Sequence, residues 1–401
     1  AREALNPIVR VLFTTSSGLG HFHPLVPLAR ELAGAGHEVV FLCPPSLAPR
    51  VEAAGFRVNP TAAEPRPDPA RQAAMQRIIG LPRGDVSNTA MIADVFVGLN
   101  SRRALPEVVA LATAWRADVI VREEFEFAGA IAAEHLRIPH AAVQVGYGFD
   151  WMKLRATNVG DSLNRLRSEW KLQADPELGM LFRYLYLSFD PPSLLEPAEP
   201  LPTRHHVHAP AFDRAGNEAR PDWLADAPAP IVYATLGSEA AKMPGVFPDM
   251  YEAIIAARRE EPGTLVLTIG AARDPSELGP RPPNVHVERY IPQSTVLPLC
   301  ELVITHGGHN TVLASLEAGL PMVIIPLFAD QPENAARCAA LKVARVVPPS
   351  RLPSAELRDA AREILGDDSY RANAKRLRSE MEALPSVRHA RVLLEELKSR
   401  V

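Results

Sequence analysis

Leu302-Val-Ile-Thr-His306-Gly-Gly-His-Asn-Thr311-Val-Leu-Ala-Ser-Leu-Glu317-Ala-Gly-Leu-Pro321 is the stretch on which the fold turns. A short apolar, β-branched run ends at a His-Gly-Gly turn, and a segment of helical composition follows it. A strand that feeds a helix through a glycine turn is the building unit of a parallel sheet wrapped by helices. Such a helix start presents unpaired N–H groups, which favour an anion. Gly307 and Gly308 are therefore expected to let a diphosphate approach the backbone, with Asn310 or Thr311 capping the helix. His306, at the strand end, is expected to donate a hydrogen bond to a phosphate oxygen as charge builds on a leaving group. Taken alone, His-Gly-Gly is no more than a strand-to-helix turn. The next strand, however, runs into Pro326-Leu-Phe-Ala-Asp330-Gln331, which puts a carboxylate and an amide at the same sheet edge. That pair suits sugar hydroxyls.

The same rhythm occurs twice along the 401 residues. Strands are predicted in the first half at Ile8–Phe13, Glu38–Cys43, Asp118–Val121 and Ala141–Val145, with helices near Leu25–Ala35 and Phe127–Leu136. In the second half they fall at Ile231–Leu236, Leu265–Ile269, Val285–Glu288, Leu302–Thr305 and Met322–Pro326. Leu201–Pro230 is rich in Pro, Ala, Asp and Arg and lacks periodicity, as an inter-domain linker does. The expected division is a domain at 1–208, a linker at 209–230, a second domain at 231–384, and a helix at 385–401 that packs back on the first. The length fits two cores.

A net charge of −4 and the lack of any Lys/Arg run argue against a nucleic-acid partner. No apolar run approaches a membrane span. Cys43, Cys300 and Cys338 are odd in number and far apart, which suggests neither a disulfide framework nor a zinc site. With no signal-peptide core in Ala1–Pro7, a cytoplasmic setting is expected.

The first half opens with Thr14-Thr-Ser-Ser-Gly18-Leu-Gly20-His21-Phe-His23-Pro24. As a dinucleotide fingerprint it is poor, because His23 stands where the third glycine belongs.

The set His306-Gly-Gly-His-Asn-Thr311, Gly319-Leu-Pro321 and Asp330-Gln331 resembles the donor signature of family 1 glycosyltransferases of the GT-B fold, and of bacterial natural-product members in particular. The resemblance spans nearly the whole chain and is weakest at about residues 60–105 and 150–200. It implies two Rossmann-like α/β domains facing across a cleft. Tyr290 would stack on the nucleotide base, with the Ile291 backbone and Gln293 beside it, and Gly237 and Ser238 would lie near the donor phosphates. Gly20-His21-Phe-His-Pro24 is similar to the turn that holds the family's catalytic base. Histidine suits that task near neutral pH. Glu123 is the candidate carboxylate behind His21, in a place where family segments carry Asp, with Glu124 as a neighbouring rival.

Family members that use ribonucleotides often carry a glutamate where this chain has Ala314, so a dTDP-sugar donor is expected, and Glu317 is expected to be a solvated or helix-packing residue. The implied reaction is one inverting displacement onto a small apolar acceptor, without a cofactor. The lack of an Asp-x-Asp motif argues against a metal ion as well. His23 is an acceptor-pocket candidate, as is Trp151, which lies in a region dense in aromatics from Tyr147 to Asp190. His135, His140, His286 and the Arg204–His208 run are expected to be structural. A nucleotide-sugar 2-epimerase and a non-catalytic protein that activates a partner transferase are the competing functions, and a nicotinamide oxidoreductase ranks last. A homodimer is left open.

Overall fold

The computed structural model describes residues 8–62, 67–82, 84–146, 154–195, 201–214, 220–243, 245–349 and 353–398. Trp151 and Tyr147 lie outside the described residues.

Two parallel sheets organise the chain. The first contains β1 (Arg10–Thr14), β2 (Glu38–Cys43), β3 (Arg57–Pro60), β4 (Val119–Glu123), β5 (His140–Val143), β6 (Leu185–Ser188) and β7 (Arg204–His206), in the order β3-β2-β1-β4-β5-β6-β7. The second contains β8 (Ile231–Thr235), β9 (Thr264–Thr268), β10 (Val285–Glu288), β11 (Leu302–Thr305), β12 (Met322–Ile324) and β13 (Ala344–Val346), in the order β10-β9-β8-β11-β12-β13. Neighbouring strands are parallel throughout both sheets.

Period-2 alternation builds a core on each face. In β1, Val11 and Phe13 join one apolar cluster while Leu12 joins the opposite one. The second sheet does the same, with Val232 on one side and Tyr233 on the other. Burial on both faces explains why these strands read as unbroken apolar runs.

Four strands lie outside the sequence prediction. Arg57–Pro60 and Arg204–His206 are edge strands of the first sheet, only partly buried, and carry no apolar alternation to announce them. Leu185–Ser188 and Ala344–Val346 are short and sit within otherwise irregular sequence. The strand at Arg204–His206 also shortens the stretch predicted as linker from Leu201 onward.

The chain crosses between the sheets more than once. After β6, Leu194 is 2% exposed inside a core of the second sheet, and the Arg337 guanidinium donates to the carbonyls of Ser193, Leu194 and Leu195. At the far end the helix Val387–Leu397 returns to the first sheet and buries Ala390, Leu394 and Leu397 in its core. His37–Glu395 at 2.9 Å and Arg391–Glu31 at 3.0 Å fasten the same helix.

In sheets of this order the strand sequence reverses between the first and fourth strands, and ligands bind beyond the carboxyl ends there. Those reversal points are β1/β4 and β8/β11. Glu123 ends β4, and the segments that leave β1, β8 and β11 carry His21, Gly237 and His306.

Candidate active site

His21 lies in a one-turn helix, Leu19–Phe22, entered from Gly18. A Cβ at Gly18 would stand 2.8 Å from the His21 ring, so the missing side chain lets the imidazole fold back over the helix start. Its Nδ1 is 3.1 Å from Glu123 Oε1, at ion-pair distance but short of hydrogen-bond alignment. Glu123 is the last residue of β4, rather than a residue beyond it, and is fully buried. Ser16 Oγ donates to its Oε1 at 2.7 Å and the Phe125 N–H to its Oε2 at 2.6 Å. Burial opposes ionisation of both partners, yet their attraction outweighs it. The Glu123 carboxyl is held below the usual range and the His21 imidazole is raised above 6.5. The rings of Phe96 and Phe125 stand 5.8 and 6.1 Å from the His21 ring.

Glu124, the rival carboxylate, is engaged elsewhere. It accepts from Tyr186 Oη at 2.5 Å and from the Val145 and Gly146 amides at 3.3 Å. Glu126 accepts from Thr14 Oγ1 at 2.5 Å and from the amides of Ala128 and Gly129 at 2.8 Å, and burial pushes its carboxyl up. The buried Arg122 guanidinium donates to the carbonyls of Glu123, Glu124, Glu126 and Leu181, which locks the loop after β4 in shape.

On the opposite side, the turn after β11 has Gly307 at φ +84°, and Gly308 caps the helix His309–Glu317 without any side-chain bond. Neither Asn310 nor Thr311 is the cap. Thr311 Oγ1 instead accepts from Gln293 Nε2 at 3.1 Å. Protein neighbours by themselves require the glycines. A Cβ on Gly308 would sit 2.5 Å from His306 Nε2, one on Gly237 2.7 Å from the same atom, and one on Gly307 2.7 Å from Ile324. Gly308 and Gly237 thus form a slot for the His306 ring. Burial in that slot pushes the imidazole down to about 4, against some support from the Thr235 backbone. His306 is therefore neutral near pH 7.

His309 behaves oppositely, a feature the sequence did not reveal. Its Nε2 lies 3.1 Å from Asp190 Oδ1, and both side chains are almost fully buried. Burial disfavours the imidazolium, but Asp190, reinforced by Asp330 and Glu124, holds its pKa at about 9.

The remaining predicted residues divide. Asp330 is partly exposed, accepts from Asn334 Nδ2 at 3.1 Å, and faces Gly146 of the first sheet. Gln331 is 3% exposed, and its Oε1 accepts from the Leu327 and Phe328 amides at 2.8 and 3.0 Å. It braces the loop and does not offer that oxygen to a sugar. Ser238 is exposed beside Gly237. Tyr290 is 45% exposed and donates through Oη to the Asp213 carbonyl, while Ile291 is buried. The same Asp213 accepts from Ser294 N and Oγ at 2.6 and 2.8 Å, so the linker lies against the segment expected to hold the base. His23 turns toward that linker, with its ring 5.3 Å from Phe212, and does not join the His21–Glu123 pair.

Glu317 keeps its side chain 30% exposed and also has a partner. It pairs with His208 at 3.2 Å, which raises that imidazole chiefly through the hydrogen bond. His206 Nδ1 lies 2.9 Å from the Asp190 carbonyl, His135 packs edge-on to Trp170, and His286 stacks on Trp223.

Residues 30–231 match the family model "Erythromycin biosynthesis protein CIII-like, N-terminal domain", and residues 254–397 match its C-terminal counterpart. Elloramycin glycosyltransferase of Streptomyces olivaceus is 30% identical, over 94% of this chain and 94% of that protein. Tylactone mycaminosyltransferase of Streptomyces fradiae is 29% identical over 95% of this chain and 90% of that protein. Among solved structures, the spinosyn rhamnosyltransferase SpnG with spinosyn aglycone superposes with a TM-score of 0.79 at 25% identity, covering 96% of this chain and all of that one. The glycosyltransferase VinC superposes at 0.80 with 24% identity, covering 98% of this chain and 100% of that chain, and shares the fold. With these two models matching residues 30–231 and 254–397, the chain belongs to the erythromycin biosynthesis protein CIII-like family and is a GT-B natural-product glycosyltransferase.

Proposed function

We propose that the enzyme transfers a sugar, with inversion, from a dTDP-sugar to a hydroxyl of a small apolar polyketide, with His21 as general base. The observation that carries this reading is the pairing of His21 Nδ1 with the buried Glu123 carboxylate, which leaves Nε2 for the acceptor. The acceptor hydroxyl gives its proton to Nε2 while its oxygen bonds to the anomeric carbon. The bond from that carbon to the diphosphate oxygen breaks, and the electron pair leaves with dTDP. Glu123 holds the tautomer and stabilises the imidazolium that forms. The leaving charge meets the head of the His309–Glu317 helix and the neutral N–H of His306, so no metal ion is required.

Two observations support the deoxyribose donor. Ala314 supplies no carboxylate on the donor helix, and Glu317 is occupied by His208. Phe96 and Phe125 give the acceptor an apolar wall beside His21, consistent with relatives named for tylactone and elloramycin. No helix among the described residues is long and apolar enough to cross a membrane.

The test is a thermal-shift comparison of dTDP-glucose with UDP-glucose, followed by mass analysis of polyketide acceptors incubated with donor, with and without EDTA. Larger stabilisation by the dTDP-sugar, a hexosyl mass gain and indifference to EDTA are expected. Equal turnover of the two donors removes the donor assignment. Hydrolysis or epimerisation of the donor with no acceptor product removes the transfer itself.

A further inference from the structure

His309 and Asn310 are consecutive in the turn that heads the donor-side helix, and both side chains reach across to the other sheet. His309 meets Asp190, in the loop after β6, at 3.1 Å. Asn310 Nδ2 donates to the carbonyl of Gly20, the residue before His21, at 3.1 Å. Asp190 is a fixed target. Gln144 Nε2 donates to its Oδ2 at 2.7 Å, Ser188 Oγ lies 3.3 Å from its amide nitrogen, and the ring of His206 touches its carbonyl. A third bond, Asn88 Nδ2 to the Ala329 carbonyl at 3.0 Å, crosses the cleft next to Asp330.

We propose that the Asp190–His309 ion pair and the Asn310–Gly20 hydrogen bond form a clasp that docks the donor turn against the His21 loop and sets the alignment of the two halves of the site. Asp190, His309 and Asn310 are then positioning residues. Their effect on transfer rests on the function proposed above, whereas the clasp itself is a property of the fold. Two adjacent residues anchored at two separate points fix both the distance and the tilt of the helix head, and transfer rates are steep in such alignment. Removing one partner of a buried ion pair leaves the other charge uncompensated, so the closed arrangement loses more than a single surface contact.

The clasp has a direction in pH. The titratable groups that act on His309 are Asp190 after β6, Asp330 after β12 and Glu124 after β4, all acidic. When the cleft opens and these recede, the imidazole returns toward about 6.5. Protons therefore favour closure. The contribution is complete below the open-form value and disappears as pH rises through about 9.

Small-angle scattering of the full chain without substrates, from acid to alkaline pH, tests the clasp directly. The wild type is expected to expand as pH passes from about 6.5 to 9. Asp190→Asn is expected to be expanded already at neutral pH and to lose most of the pH dependence, and Asn310→Ala to expand less while keeping it. Transfer by Asp190→Asn should fall about tenfold or more in kcat, with the Kd for dTDP little changed. Should Asp190→Asn fail to fold, Asn310→Ala, at a partly exposed position, carries the same test. Folded variants whose dimensions and pH response match the wild type overturn the proposal. Scattering that follows these expectations, in a protein that transfers no sugar, leaves the clasp standing and removes only the function assigned above.

Discussion

His306 and His309 stand three positions apart on one turn, and their surroundings push their imidazoles in opposite directions. Burial between Gly237 and Gly308 pushes His306 down to about 4, whereas Asp190 overcomes burial to hold His309 at about 9. The ring in the glycine slot is thus a neutral hydrogen-bond donor. The cationic ring faces the other sheet.

From this it follows that His306→Gln, which keeps a neutral donor, should retain more dTDP affinity than His306→Ala. The ratio of wild-type to His306→Ala affinity should be flat between about pH 5.5 and 8, because His306 does not titrate there. Calorimetric titrations with dTDP at both ends of that range check it. A ratio that rises toward acid pH would mean that His306 binds as a cation.

The base assignment makes its own prediction about pH. His21 acts only when deprotonated, and Glu123 raises its pKa. The acid limb of kcat/KM should therefore lie above the ordinary histidine value, with activity lost as pH falls through it. Glu123→Gln removes the charge that favours imidazolium, so the limb should move to lower pH while the rate falls. His21→Ala should lose about 10²- to 10⁴-fold in kcat with dTDP affinity preserved. An acid limb that stays in place in Glu123→Gln would detach the carboxylate from the base.

The glycine slot can be tested through coupling. A methyl group added at Gly308 would stand 2.5 Å from His306 Nε2. Gly308→Ala should cost about 1–3 kcal/mol by overpacking. In a His306→Ala background the obstacle is gone and the cost should largely disappear, giving a coupling of about 0.5–3 kcal/mol in a double-mutant cycle from urea unfolding. Additive costs would place the strain elsewhere.

These two histidines also show where sequence reading succeeds and where it stops. The strands at β1, β4, β8 and β11 are apolar on both faces, so they stood out, and with them the loops that carry His21 and His306. β7 reads Arg-His-His and is held by backbone pairing to β6, so no side-chain pattern marks it. The glycines are visible in the sequence, but the crowding of Gly237 and Gly308 by the His306 ring is not. The Asp190–His309 pair was hidden for a further reason. Its members belong to different sheets and meet only when both have folded. Phe96 and Phe125 reach His21 from within the first sheet's half, but from segments far from it in sequence.

The last prediction concerns the helix that closes the chain. Val387–Leu397 follows the second sheet in sequence yet buries Leu394 completely in the core of the first, in the cluster that also holds Val11, Phe13 and Leu28. The first sheet's core is then incomplete until the end of the chain has folded onto it. Leu394→Ala should cost about 2–5 kcal/mol, since the cavity opens in a packed interior. Val392→Ala in the same helix, at a position 37% exposed, should stay within about 0.5 kcal/mol and controls for helix propensity. Hydrogen exchange should locate the loss. Amides of β1 and β2 should lose protection in Leu394→Ala, while those of β9 and β10 keep theirs, because the residue lies in the first sheet's cluster. Equal loss in both sheets would mean that the two cores unfold as one unit, with the returning helix acting as a tie between them and not as a part of the first.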